Sequence, residues 1–156
     1  MLDAPVESAY LWFGLALASA SLLGLAVNVP TAPPPDATMA ARSVDRVAAS
    51  PYEAVGRHPL DASRIRLGAE RIGLAGPGGA AHAAFAHDSV VPVPEDGRLA
   101  AVLRGTPPDR AFDDRSAFAA ALKRARTTEP RWRPAPKRLL VRRVAWGEVN
   151  GTLVGT

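Results

Sequence analysis

AYLWFGLALASASLLGLAVNV, residues Ala9–Val29, is a run of 21 residues with no charged side chain, bounded by Glu7 and Pro30. Wound as a helix at about 1.5 Å per residue, it reaches roughly 30 Å, the hydrocarbon thickness of a bilayer. A buried core helix of that length shows a polar face, whereas this run offers only Ser19, Ser21 and a terminal Asn28. A cleaved signal peptide starts with a basic region and has a shorter apolar stretch, but Met1–Ser8 carries Asp3 and Glu7 and no Lys or Arg. The expectation is a retained transmembrane helix over 9–29 behind a short tail, 1–8.

Within the run, Tyr10, Trp12 and Phe13 gather at the N-terminal end, where amphipathic rings sit at headgroup level. Ala16, Ala20, Gly24 and Asn28 recur every fourth residue and form a small-residue packing face that lets a second helix approach closely. Sidedness receives two opposed signals. Arg42 and Arg46 follow the span and no base precedes it, which favours a cytoplasmic domain. Asn150-Gly151-Thr152 is a glycosylation sequon, meaningful only outside the cell, and makes Asn150 a candidate acceptor.

Outward from the span, Pro30–Pro35 cannot continue a helix and reads as a semi-rigid linker over 30–37. The remaining 38–156 suffices for one small domain. Ala40, Val44, Val47 and Ala48 have helical spacing, with Asp36 or Thr38 as cap, and 51–62 reads as loop. Ile65–Leu67 and Arg71–Leu74 are strand-like, and Gly76-Pro77-Gly78-Gly79 turns the chain into Ala80–Ala86, a hairpin pattern. Pro92 and Pro94 confine Val90–Val93 to an edge. Asp113 and Asp114 open a helix over 115–126 whose apolar face is Phe118, Ala121, Leu122 and Ala125. Leu139–Trp146 alternates as a strand with polar and apolar groups on both faces, and 149–154 is its partner or a tail. The fold class is α+β: one N-terminal transmembrane helix followed by a small mixed domain.

Charge is concentrated in that domain. All 19 Lys and Arg follow the span, against 13 of the 15 acids, so it carries a formal +6. Lys123, Arg124, Arg126, Arg131, Arg133, Lys137, Arg138, Arg142 and Arg143 form a basic stretch around Trp132 with one acid, Glu129, among them. Such a stretch suits anionic lipid headgroups or an acidic partner. It matches none of the named nucleic-acid motifs, so nucleic acid is not expected as a partner.

Catalytic constellations lack parts. With no Cys, disulfides, thiolate metal sites and cysteine nucleophiles are excluded together. His82, His87 and Asp88 carry ligand chemistry, but residues five apart face opposite ways on a strand and diverge on a helix. Ser89 beside His87-Asp88 has hydrolase residue types, yet triads are built from distant segments. Gly76–Gly79 lacks the Lys and Ser/Thr of a phosphate loop. No enzyme activity, cofactor, metal or small-molecule substrate is expected.

Pro30-Thr31-Ala32-Pro33-Pro34-Pro35-Asp36-Ala37, His58–Ala62, Leu103–Pro108, Trp132–Ala135 and Leu140–Gly147 together give the chain a likeness over nearly its whole length. It resembles a family of uncharacterised haloarchaeal single-pass membrane proteins, similar to small components found beside type IV pilus or secretion-type gene clusters. That resemblance implies an accessory or anchoring component of a cell-envelope assembly, with the bilayer and other membrane or pilus-like proteins as partners. Glu7 before an apolar helix is also a pilin feature, although the basic residue and Gly of a prepilin site are missing.

Overall fold

A computed structural model describes 6–27 and 32–155, with the side chains of the first helix placed over 10–21. Two compact units divide the chain at Thr31/Ala32. The first contains helix α1, Val6–Val27. Tyr10, Leu11, Trp12 and Phe13 are each more than 70% exposed, and Leu15 and Leu17 follow at 59% and 67%. Over the twelve residues with placed side chains α1 is apolar on every side. Among the described residues no helix is long and apolar enough to cross a membrane. Asn28, the last residue of the small-residue line, lies outside them, as do Pro30 and Thr31.

The second unit is a mixed α+β domain, as the sequence patterning leads one to expect. Asp36 caps helix α2 (Ala37–Ala48) by accepting from the Met39 N–H at 2.8 Å. Ala37, Ala40, Ala41, Val44, Val47 and Ala48 bury one stripe of it. Strands β1 (Ala54–Pro59), β2 (Arg64–Leu67), β3 (Arg71–Gly76), β4 (Gly79–Ala84) and β5 (Val90–Pro92) follow. Helices α3 (Arg98–Arg104), α4 (Pro108–Ala111) and α5 (Arg115–Thr127) precede β6 (Trp132–Pro134), β7 (Arg138–Trp146) and β8 (Val149–Gly155). The first sheet has the order β1-β7-β8-β5 and the second β4-β3-β2-β6. Among the described residues, only the β5–β8 pairing is parallel.

The first sheet is covered on both faces, which explains the mixed alternation of β7. Leu139 and Val141 join α2 and the inner face of the second sheet in one core. Leu140, Val144 and Trp146 lie in the other, with α3, α5 and Phe118. Central β8 is buried from Gly151 to Gly155 as a strand covered on both sides must be.

Two local expectations are corrected and one left open is decided. Residues 54–59 form β1 rather than loop: Ala-Val-Gly-Arg-His-Pro has no hydrophobic alternation of its own, and its pairing with 138–143 of β7 decides its conformation. Residues 149–155 are the partner strand of β7 and not a tail: the chain turns at Gly147-Glu148, where Gly147 takes φ 64°, and Asn150 pairs with Ala145. Finally, Ala32–Pro35 lies along the domain: a Cβ at Gly78 would collide with the Ala32 and Pro33 carbonyl oxygens, and one at Gly76 would come within 3.2 Å of Pro35. That half of the proline-rich stretch is docked on the β3–β4 turn.

Candidate functional site

The alternation Arg64-Ile65-Arg66-Leu67 sends both leucine-like side chains into the core and both guanidinium groups outward. Register then assembles a row across the outer face of the second sheet. Arg66 pairs with Trp132 on one side and Gly73 on the other, and Gly73 pairs with His82. The Arg64 guanidinium sits 5.6 Å from the Trp132 ring centroid, and the His82 ring lies 5.8 Å from it at 56°. Such a cation over an indole contributes about 0.5–1 kcal/mol at an exposed site. Gly73 is the floor of this row, because a Cβ there would come within 2.6 Å of His82 Nδ1 and 3.1 Å of the Trp132 ring.

Beside the row opens a cleft of about 570 Å³ lined by Arg66, Arg71, His82 and Arg126 together with Glu70 and Glu129. Arg66 Nε donates to the Pro130 carbonyl at 3.2 Å, fixing one wall. Three guanidinium groups against two carboxylates leave a cationic excess beside an aromatic surface. Chemically, this arrangement can attract and stack on anionic or planar groups.

The basic stretch 123–143 does not form one surface. Arg142 and Arg143 point to opposite faces of the first sheet, and both are half-buried. Arg142 donates to the Val102 and Thr106 carbonyls at 2.6 and 3.4 Å, and Arg143 donates to the Ala48 carbonyl at 3.0 Å. Each therefore satisfies the carboxyl end of a helix packed on its own face, where orphan carbonyls and the negative dipole end favour a cation. Arg133 pairs with Glu95 at 3.3 Å. Lys123, Arg124, Arg126, Arg131, Lys137 and Arg138 are exposed, and Arg126 also donates to the Asp88 carbonyl.

The histidines go to three different places. His82 lies against Trp132, and His87 Nδ1 approaches Asp45 Oδ1 at 3.4 Å, where the Ala86 N–H also donates at 2.9 Å. His58 Nδ1 lies 3.0 Å from Ser43 Oγ. That hydroxyl donates to the Met39 carbonyl at 3.0 Å, so it accepts from the imidazole N–H and meets no general base there. Among the described residues no three metal-ligating side chains come together.

Ala16 and Ala20 are exposed on α1, and Gly24 falls on the same helix. Asn150 is exposed on β8, while Thr152 of the same sequon is fully buried, its hydroxyl 3.3 Å from that of Ser89. The outer row escaped sequence reading because Trp132 reaches it from 66 positions beyond Arg66. The only local signal was the outward Arg64-x-Arg66 pair.

The described residues thus hold two separate units, an apolar helix and a small α+β domain with a cation-and-aromatic sheet face. The chain belongs to a family of unknown function, DUF7283, which matches residues 3–144 and so takes in everything from α1 to most of β7. No curated protein and no solved structure matches it.

Proposed function

We propose that the chain is a membrane-anchored component of a cell-envelope assembly, acting by interaction and not by catalysis. The observation that carries this is α1: apolar side chains exposed around its whole circumference need a non-aqueous surrounding, and lipid supplies one. The domain is then the module presented beside the bilayer, single-pass and cell-membrane located. A pilus- or secretion-type assembly is the version that the sequence resemblance favours, with Ala16, Ala20 and Gly24 as a helix-packing face. Alkaline carbonate extraction of membranes tests the anchor. The chain is expected in the pellet, and Leu17→Arg is expected to move it towards the supernatant, because an arginine near the span centre costs about 2.5–3.5 kcal/mol of insertion. Release of the unaltered chain by carbonate would sink the anchor. Protease treatment of intact cells carrying a C-terminal epitope then reads sidedness, digestion placing the domain outside.

A second reading is favoured by the cationic excess of the cleft and of Lys123, Arg124, Arg131, Lys137 and Arg138: the domain docks on anionic headgroups or an acidic partner. Binding of the chain to phosphatidylserine-containing vesicles, beyond that to neutral ones, should weaken several-fold between low and physiological salt. Binding indifferent to salt would exclude this reading.

A further inference from the structure

Two sheets have four edges, and three of them are blunted. Strand β5 is three residues ending in Pro92, and β6 is three residues ending in Pro134 with Pro130 and Pro136 around it. Strand β1 is longer but ends at Pro59 and carries the exposed Arg57. Short strands, prolines and edge charges are the devices by which sheets avoid pairing with other chains.

Strand β4 has none of them. It runs six residues, Gly79-Ala80-Ala81-His82-Ala83-Ala84, without a proline or a Lys, Arg, Asp or Glu. The register Arg71↔Ala84 and the bond from the Phe85 N–H to the Glu70 carbonyl make 71/84 a non-hydrogen-bonded pair. Ala83 and Ala81 therefore bond to β3, while the N–H and C=O groups of Ala80, His82 and Ala84 point away from the sheet. Among the described residues no hydrogen bond reaches those three N–H groups from outside the strand ladder.

The side chains choose the partner. Ala80-Ala81-His82-Ala83-Ala84 reads the same in both directions about His82. A second copy laid antiparallel on a two-fold axis through His82 thus sets Ala80 against Ala84, His82 against His82 and Ala84 against Ala80. Each such pair exchanges two backbone hydrogen bonds, and on the outer face Ala80 and Ala84 add little bulk beside the approach.

We propose that β4 is the edge through which two copies of this chain pair, antiparallel about His82, joining their second sheets into one of eight strands. The pairing goes beyond the anchoring reading and stands without it. It also places the two Arg64–Trp132–His82 rows on one continuous face.

Because the chain has no Cys, His82→Cys gives the full chain a single thiol. In the proposed pair two copies of that position lie with Cα atoms about 5.5 Å apart, within reach of a short bismaleimide. In membranes or detergent, H82C is expected to cross-link to twice the chain mass at least fivefold more than Arg57→Cys on the blunted β1 edge. Crowding or contact through α1 alone would raise both equally. Adding Ala84→Pro to H82C removes an outward N–H while leaving the β3 ladder intact, and should lower the cross-link several-fold with the melting temperature little changed. Equal cross-linking of H82C and R57C would overturn the proposal. So would a cross-link undiminished by A84P, or one whose mass identifies a different chain.

Discussion

Arg142 and Arg143 stand side by side in sequence and serve opposite sides of one sheet, each closing the carboxyl end of a helix. Replacing either by Met keeps an apolar stem but removes a cationic donor from helix-end carbonyls, of which that of Val102 keeps the Gly105 N–H. Each is expected to lose about 1–3 kcal/mol in urea unfolding. Since the two side chains share no partner and lie on opposite faces of the sheet, the double variant should lose the sum within about 0.5 kcal/mol. Helix α3 has no side-chain cap at its start, so R142M is the more damaging of the two. Asp114 is the counterpart at a helix start. Hydrogen bonds from the Ser116 hydroxyl, first, and then from the Ala117 N–H hold its carboxyl below the ordinary carboxylate range. A group with a depressed folded value stabilises the fold above its unfolded value and loses that contribution as pH falls through the folded one. Removing the carboxylate in Asp114→Ala should therefore lower the melting temperature at neutral pH. The difference from wild type should shrink as pH drops below the ordinary carboxylate range.

Element by element, legibility follows how much of each conformation is local. Helix α5 declares itself: Asp114 caps it, and Phe118, Ala121, Leu122 and Ala125, chosen by spacing alone, are the residues it buries. Truncating the fully buried ring in Phe118→Ala should cost about 3–5 kcal/mol, because Phe112 and Trp146 pack against it and cannot fill the void. The β2–β3–β4 meander is equally readable, since short turns set the register. Strands β1 and β6 are not, because they are strands only by pairing with segments about 80 and 66 positions away. The cation-and-aromatic row fails to show for the same reason: its members are ordinary residues until Trp132 is laid beside Arg66. Gly73→Val tests that row. Its side chain would displace His82 and Trp132 from their contact, so the tryptophan emission is expected to change, with the cleft losing binding of anionic vesicles if it is the docking surface.

At the scale of the molecule, the first sheet joins the C-terminal hairpin β7–β8 to two strands from far earlier in the sequence, β1 and β5. Strand β8 sits between β7 and β5, bonded to both and buried through its last five residues. It adjoins both cores, Val154 lying in one and Leu153 in the other. Ending the chain after Glu148 should abolish cooperative unfolding rather than lower its midpoint, which circular dichroism on heating would read. The central place of β8 also sets a timetable. On a ribosome, α1 emerges long before the strand that completes the domain, so a segment ready to leave water precedes a body that cannot close. Until 149–155 clear the exit tunnel, α2 and the inner face of the second sheet have no finished sheet to cover. The nascent chain should then depend on chaperones until β8 has emerged.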